Sequence, residues 1–346
     1  MRRGLISWSR EELPEHVLDA RVRRLQSAMR REQLDLVLMY STFAQPSASH
    51  WVCNFTPYWS EAIAAVLPEG APLLLAALTQ RVHPWIRSVS HVAQVLNAPR
   101  LGEAAVSLIK ERVPPLGRVG VVGLDEMPWS VMQPLIGAGL ADRLVDASDM
   151  FAALRQPADD AEVGLARQAT RLAQAAVQSV PRSARNASDV CAAIELSTRL
   201  AGAEEVLLRI APDLRENAVL ARMEGDAPLG ARYAVEVSIA YKGVWVRWCE
   251  TLSSDEPSVT ESRAQAWFKQ ALATVASDGA PTACTDAPGR LSGWSLEACV
   301  GMHPLTVIGA DNLKRSTAIA PGSLAVFSAE LQLPDGPWLA AASLTA

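Results

Sequence analysis

Histidine and cysteine are scarce in this sequence, five of each in 346 residues. Cys53, Cys191, Cys249, Cys284 and Cys299 are odd in number and widely scattered. Such spacing suits a reducing cytoplasm better than a disulfide framework. No CxxC and no HExxH occurs, so the common short motifs for a dithiol or a zinc peptidase site are missing. Long apolar runs are missing too. The most apolar stretch, residues 62–78, is broken by Pro68, Glu69, Gly70 and Pro72, and none is long enough to span a bilayer. The first sixteen residues carry two arginines in succession but no apolar core, so no secretory signal is expected. There is no block of like charge, and the formal net charge is -5. The sequence therefore predicts neither a nucleic-acid partner nor a membrane partner, and a cytoplasmic location.

What is present is a globular chain long enough for one large or two medium domains. Residues 14–34 place Val22, Leu25, Met29 and Leu34 at helical spacing among arginines. Short apolar strands are expected at 34–40, 62–68, 72–78 and 118–125, and a strand followed by a short helix within 140–155. Between the first two strands, residues 41–61 read as a loop rich in serine, proline and aromatics. Alternation of this kind indicates an α/β domain over residues 1–155. Pro157 and the acids after it suit a helix start. An alanine-rich helix is expected from Ala161 to about Val180. A second is capped at Ser188-Asp189 and ended by Gly202, and a third lies near 262–277. With the β segments between them they form an α+β domain over residues 156–346.

Residues 233–251 are the most informative segment. Val235, Val237, Ile239 and Tyr241 alternate with Glu236, Ser238, Ala240 and Lys242. Val244, Val246 and Trp248 alternate with Trp245, Arg247 and Cys249. Period two on both sides of Gly243 reads as a β-hairpin. A turn centred on Tyr241-Lys242 sets Glu236 opposite Arg247 and Ser238 opposite Trp245. One face then carries Glu236, Ser238, Trp245, Arg247 and Cys249. That face is either a functional site or a half-exposed ion pair on a hairpin surface.

The order of elements resembles the creatinase / prolidase / aminopeptidase P family, whose C-terminal domain has the pita-bread fold. Residues 21–41 resemble the opening helix and strand of its N-terminal domain, and 159–177 the first long helix of its C-terminal domain. Residues 241–252 resemble the family's strand pair, and 319–331 the strand bearing a metal-binding glutamate. The resemblance implies a creatinase-type N-terminal α/β domain followed by a pita-bread C-terminal domain. In metallopeptidase members two aspartates, a histidine and two glutamates bind two metals. Carried over, Glu236 falls on the first aspartate, Arg247 on the second, Trp294 on the histidine, Glu330 on the first glutamate and Ala341 on the last. An upstream catalytic histidine falls at about Val219. Two glutamates and a permanent cation cannot supply a dinuclear site, so no metal and no cofactor is expected. The family includes creatinase, which works without metal on a guanidino compound. Its catalytic histidine is missing here, and Cys249 stands where another of its glutamates aligns, so creatine is not the expected substrate.

Further candidates follow. His303, close to a second family histidine, is either a proton carrier or a loop residue before Pro304. Cys249 is a nucleophile or an inert strand cysteine. Tyr241 and Trp245 line a pocket or simply pack. Because family dimers reach across with the N-terminal domain, Trp51, Tyr58, Trp59 and Glu61 form a lid on the partner's site or an apolar contact. The expected function is a metal-independent, homodimeric enzyme acting on a small amino-acid-derived substrate by hydrolysis, elimination or rearrangement at a C–N bond. Glu330, Glu236, Arg247 and His303 are its catalytic candidates; Trp245, Trp294, Tyr241, Cys249 and Trp59 are its substrate-binding ones. The alternatives are a catalytically silent pita-bread module that binds a peptide or protein, and a metal-dependent Xaa-Pro peptidase.

Overall fold

The structure is a computed structural model that describes residues 7–42, 47–57, 60–278, 286–298, 314–316 and 321–345. It divides into two compact units, Met1–Arg155 and Gln156–Ala346. Among the described residues, no helix is long and apolar enough to cross a membrane.

The first unit opens with α1 (Glu15–Glu32), where Leu18, Val22, Leu25 and Met29 form the buried stripe. Gln33, in the left-handed region at φ 55°, ends it. The strands are β1 (Leu36–Ser41), β2 (Ala62–Val66), β3 (Leu73–Ala76), β4 (Gln94–Asn97), β5 (Val119–Val122) and β6 (Leu144–Asp146). They form one sheet in the order β4-β3-β2-β1-β5-β6. Alternate residues of its central strands go to two different cores. Val37, Met39, Ala62 and Ala64 join one, and Leu36, Leu38, Ile63 and Ala65 join the other. A strand buried on both faces has no polar face to show, which is why these strands read as continuous apolar runs.

One expectation fails in this unit. The loop expected over 41–61 contains a helix, α2 (Ser47–Cys53). Its Trp51 is 1% exposed and stacks edge-on against Phe151, with Arg21, Arg24 and Arg155 around the indole. Trp51 is therefore a core residue of this unit, and it cannot be a lid. Seven residues with a single buried aromatic are too short for helical periodicity to show. Glu61 hydrogen-bonds the Tyr40 side chain. Tyr58 and Trp59 lie outside the described residues.

The first unit also holds α3 (His83–Val89), α4 (Leu101–Arg112), α5 (Trp129–Gly137) and α6 (Ser148–Leu154), and the second unit begins with α7 (Asp160–Gln178) and α8 (Ala187–Leu200). The Asp159 side chain accepts the Glu162 N–H at the start of α7. The cap of α8 is Asn186, not the expected Ser188-Asp189, with Asp189 returning the bond in a capping box. The strands are β7 (Glu205–Ala211), β8 (Arg232–Tyr241), β9 (Val244–Ser253), β10 (Arg290–Ala298), β11 (Lys314–Ser316), β12 (Leu324–Leu333) and β13 (Gly336–Thr345), with α9 (Val259–Asp278) after β9. They make one sheet in the order β11-β10-β12-β13-β9-β8-β7. One face packs on helices. Val235, Val237, Ile239 and Val246 meet α7 and α8, while Phe327, Ala329, Leu331 and Trp338 meet α9. The opposite face carries the polar residues of the alternation.

Candidate functional site

The hairpin forms, but in a different register from the one expected. Tyr241 pairs with Val244, so the turn is Lys242-Gly243, with φ of 45° and 79°. Two successive positive φ values are the two-residue hairpin turn whose twist matches the strands. Lysine at the first of them hides the turn from sequence, because asparagine or aspartate is usual there. The pairs become Glu236 with Cys249, Ser238 with Arg247, and Ala240 with Trp245. The slip is two residues, an even number, so the five residues expected on one face stay on one face.

Pairing across the sheet extends that face into rows. One row runs Arg209, Glu236, Cys249, Ala341, Ser328, Ser295. In the next, Leu207 and Ser238 lead to Arg247. Ser343 follows on β13, its Oγ accepting the Arg247 N–H at 2.9 Å, and then come Val326 and Glu297. Four long charged side chains converge over these rows with alternating sign. Arg209 donates to Glu236 Oε1 through Nε at 2.8 Å and Nη2 at 2.5 Å. Arg247 Nε lies 3.5 Å from the same oxygen, and its Nη1 lies 3.6 Å from Glu297 Oε2. The Arg247 side chain is 3% exposed and that of Glu236 7%; Arg209 and Glu297 are more open, at 18% and 24%. Glu236 and Arg247 are thus buried and mutually compensated, while the outer members of the array reach solvent. Arg209 and Glu297 were missed in the sequence. On β7 leucines occupy both faces, so alternation marks neither.

Other expected site residues are distributed differently. Glu330 lies on the site face but pairs with Leu339 and Gly293. That is two pairs beyond Ser328, about 7 Å along β12 from the Glu236 row. Ser328, not Glu330, shares the row of Glu236. Trp294 pairs with Ala329 and packs into the helix-side core. A bulge between Leu291 and Gly293 sets which β10 residues face the site, and it gives Ser295 the place expected for Trp294. Tyr241 also belongs to the helix-side core and so cannot line the site; its alternation with Glu236 already carried that signal. Trp245 is on the site face, buried, and borders a cavity of about 340 Å³ with Ser343. Ala341 stands beside Cys249. Val219 is exposed at 63% in a connecting segment. His303 lies outside the described residues.

Burial pushes the Cys249 thiol well above its ordinary value. The Glu236 charge adds to this, against opposing effects from Arg209 and Arg247. The thiol packs with Leu339, Ala341 and Val326, and a protonated, enclosed thiol is no nucleophile. A second perturbed carboxyl lies at the hairpin tip. Glu204 accepts the backbone N–H groups of Lys242 and Gly243, yet desolvation dominates and raises it from 4.5 to about 7. The donors do not fit a dinuclear metal centre. Among the described residues no three His, Cys, Asp or Glu side chains converge, Glu236 is engaged by two guanidiniums, and alanine and serine complete its row.

Residues 21–156 match the model of the Creatinase/Prolidase N-terminal domain. No curated protein matches the sequence. Solved structures resemble nearly the whole chain. The Xaa-Pro dipeptidase of Bacillus anthracis has a TM-score of 0.70 at 15% identity, covering 95% of each chain. The prolidase of Pyrococcus horikoshii OT3 has 0.69 at 13%, covering 94% of this chain and 95% of that one. The X-Pro aminopeptidase of Thermotoga maritima MSB8 has 0.66 at 13%, covering 93% of each. At such identity the likeness establishes fold and carries no residue roles. The chain thus carries a Creatinase/Prolidase N-terminal domain over residues 21–156, and over nearly its whole length it has the fold of the prolidase structures, the C-terminal sheet matching their pita-bread domain.

Proposed function

We propose that this protein is a creatinase-like enzyme that works without metal on a small amino-acid-derived molecule. The reaction breaks or rearranges a C–N bond, by hydrolysis or elimination. The observation that carries the reading is the array Arg209–Glu236–Arg247–Glu297 on the helix-free face of the second sheet. Burying a guanidinium is costly unless it is paired. Here the pairing leaves the two outer members, Arg209 and Glu297, partly exposed. Arg209 spends Nε and Nη2 on Glu236, and its Nη1 has no partner among the described residues. A planar fork with a free end suits a substrate carboxylate.

In this reading Arg209 anchors the substrate carboxylate, and Glu236 is the strut that orients both guanidiniums. Arg247 supplies fixed positive charge where negative charge develops on the substrate. Glu330 carries the proton or grips the substrate's cationic end. His303 is a second proton carrier. The protein acts as a homodimer in the cytoplasm.

A thermal-shift screen tests this, with amino acids, guanidino compounds, dipeptides and divalent metals against the wild type, Arg209→Met and Glu330→Ala. A ligand at a hundredfold excess over its Kd adds about 2.7 kcal/mol of stability. The expected result is a small amino-acid-derived hit, weakened in both variants and insensitive to chelator. A metal hit would replace this reading with a metal-dependent Xaa-Pro peptidase. With no small-molecule hit, the mutual pairing of the array is explained by a silent module that binds a peptide or protein.

A further inference from the structure

Strands β9 and β13 are adjacent in the sheet but pair only twice, through Cys249–Ala341 and Trp248–Ala342. The next contact is made by a side chain. Ser343 Oγ accepts the Arg247 N–H at 2.9 Å and donates to the Arg247 carbonyl at 3.4 Å. Beyond it, toward Trp245 and Thr345, no ladder pair joins the strands. Helix α7 runs beneath this opening, and the space between is the cavity of about 340 Å³. That volume is at the small end of ligand pockets, roughly 300–1,000 Å³.

The lining has a definite chemistry. Trp245, Val246, Leu324, Ala325, Leu344 and Ala166 make an apolar floor, with Thr170, Ser343 and Thr345 as hydroxyl groups. The only charges in the lining are Arg167 and Arg171, one turn apart on α7 and both exposed. No acid lines the cavity. Arg171 donates to Gln168, a neutral group, and Arg167 has no ion-pair partner among the described residues. Two like charges at this spacing repel, weakening the helix slightly, and an anion at the mouth reverses that penalty. From this geometry we infer that the opening between β9 and β13 is a binding site for a small organic carboxylate with an apolar body. The body lies against Trp245 and the strand ends, and the carboxylate lies between Arg167 and Arg171. The site is separate from the Arg209–Glu236–Arg247–Glu297 array, none of whose members line it.

Phenylacetate and phenethylamine, which share a ring and differ in charge, are the probes, with binding followed by ligand-observed NMR. The wild type binds phenylacetate saturably and phenethylamine at least about tenfold more weakly, as expected for one lost charge-assisted contact. Arg167→Glu/Arg171→Glu, a change confined to exposed positions, reverses that preference, while Arg209→Met leaves it unchanged. The inference is overturned if phenylacetate shows no saturable binding, or if the double variant binds it as the wild type does. It is also overturned if Arg209→Met abolishes binding, because the probe then sits at the array. The last outcome concerns the array alone, so this site and the proposed enzyme site fail independently.

Discussion

The two sheets of this protein put their apolar residues to different use. The six-stranded sheet of the first unit is apolar on both faces, each belonging to its own core. The seven-stranded sheet of the second unit has its large apolar cores on its helix side and only a smaller apolar cluster, around Cys249 and Leu339, on the other. Its other face gathers Arg209, Glu236, Arg247, Glu297 and Glu330 beside serines and alanines. A sheet closed on both sides can only hold itself together. Chemistry needs a face on which charged groups are held rigidly without being wholly cut off from solvent. The comparison therefore locates function on one face of one sheet, and substitutions in the two sheets have different signatures.

The largest expected effect is at Glu236. Glu236→Ala removes the shared partner of Arg209 and Arg247 and leaves buried cationic surface uncompensated, at a cost of about 3–5 kcal/mol. Urea unfolding measures the loss. Glu236→Gln, which keeps the shape and one acceptor, loses distinctly less. Equal losses in the two variants would mean that packing, not charge, holds this face. In the first sheet Ile63→Ala, at a fully buried position, costs about 2–5 kcal/mol. Unlike the Glu236 variants, it leaves the affinity of any ligand found for the second sheet unchanged.

Next in size is a dependence on pH at the hairpin tip. Glu204 is raised from 4.5 to about 7 in the folded protein, chiefly by burial, with the nearby Glu205 charge adding to it and Lys242 and two backbone N–H groups opposing. The folded chain therefore holds this proton more tightly than the unfolded chain. Relative to the charged form, its contribution is complete below pH 4.5. It declines as pH rises toward 7 and is absent above, a change of about 3 kcal/mol. Glu204→Gln lacks this slope. It should gain on the wild type between pH 5 and pH 8, as read from urea midpoints at the two pH values. A difference between the two proteins that does not change with pH would remove burial as the cause.

Much of the fold was legible in the sequence because it rests on local periodicity. The buried stripe of α1, the apolar strands of the first sheet and the alternation in β8 and β9 each need only a short window. What was not legible depends on single backbone events. The bulge near Ser292 decides that Ser295 faces the site and Trp294 the core, and its one mark in the sequence is the isolated glycine Gly293 within the strand. Arg209 and Glu297 join the array through the pairing of β7 with β8 and of β10 with β12, which no short window of sequence spans. Glu330 shares the site face but not the row of Glu236, since facing follows from parity while row follows from the pairing of three strands.

The smallest expected effect concerns the turn that hid the hairpin register. Lys242 adopts φ of 45° without being glycine, asparagine or aspartate, a conformation that disfavours most side chains. Asparagine is the preferred residue at that place in a two-residue turn before glycine. Lys242→Asn should therefore raise stability by about 0.5 kcal/mol, reduced by loss of the ammonium that lies 5.6 Å from the Tyr241 ring centre. The backbone N–H that Glu204 accepts is kept, so the pH slope should survive the substitution. A shift in urea midpoint with the slope intact would show that the turn sequence is strained while the register is set elsewhere, by Glu204 and by the nine further pairs of β8 and β9 beyond Tyr241–Val244. Loss of the slope would show that lysine itself holds the tip in place, through its charge beside Glu204. The strain at Lys242 would then be part of what positions the face carrying Glu236 and Arg247.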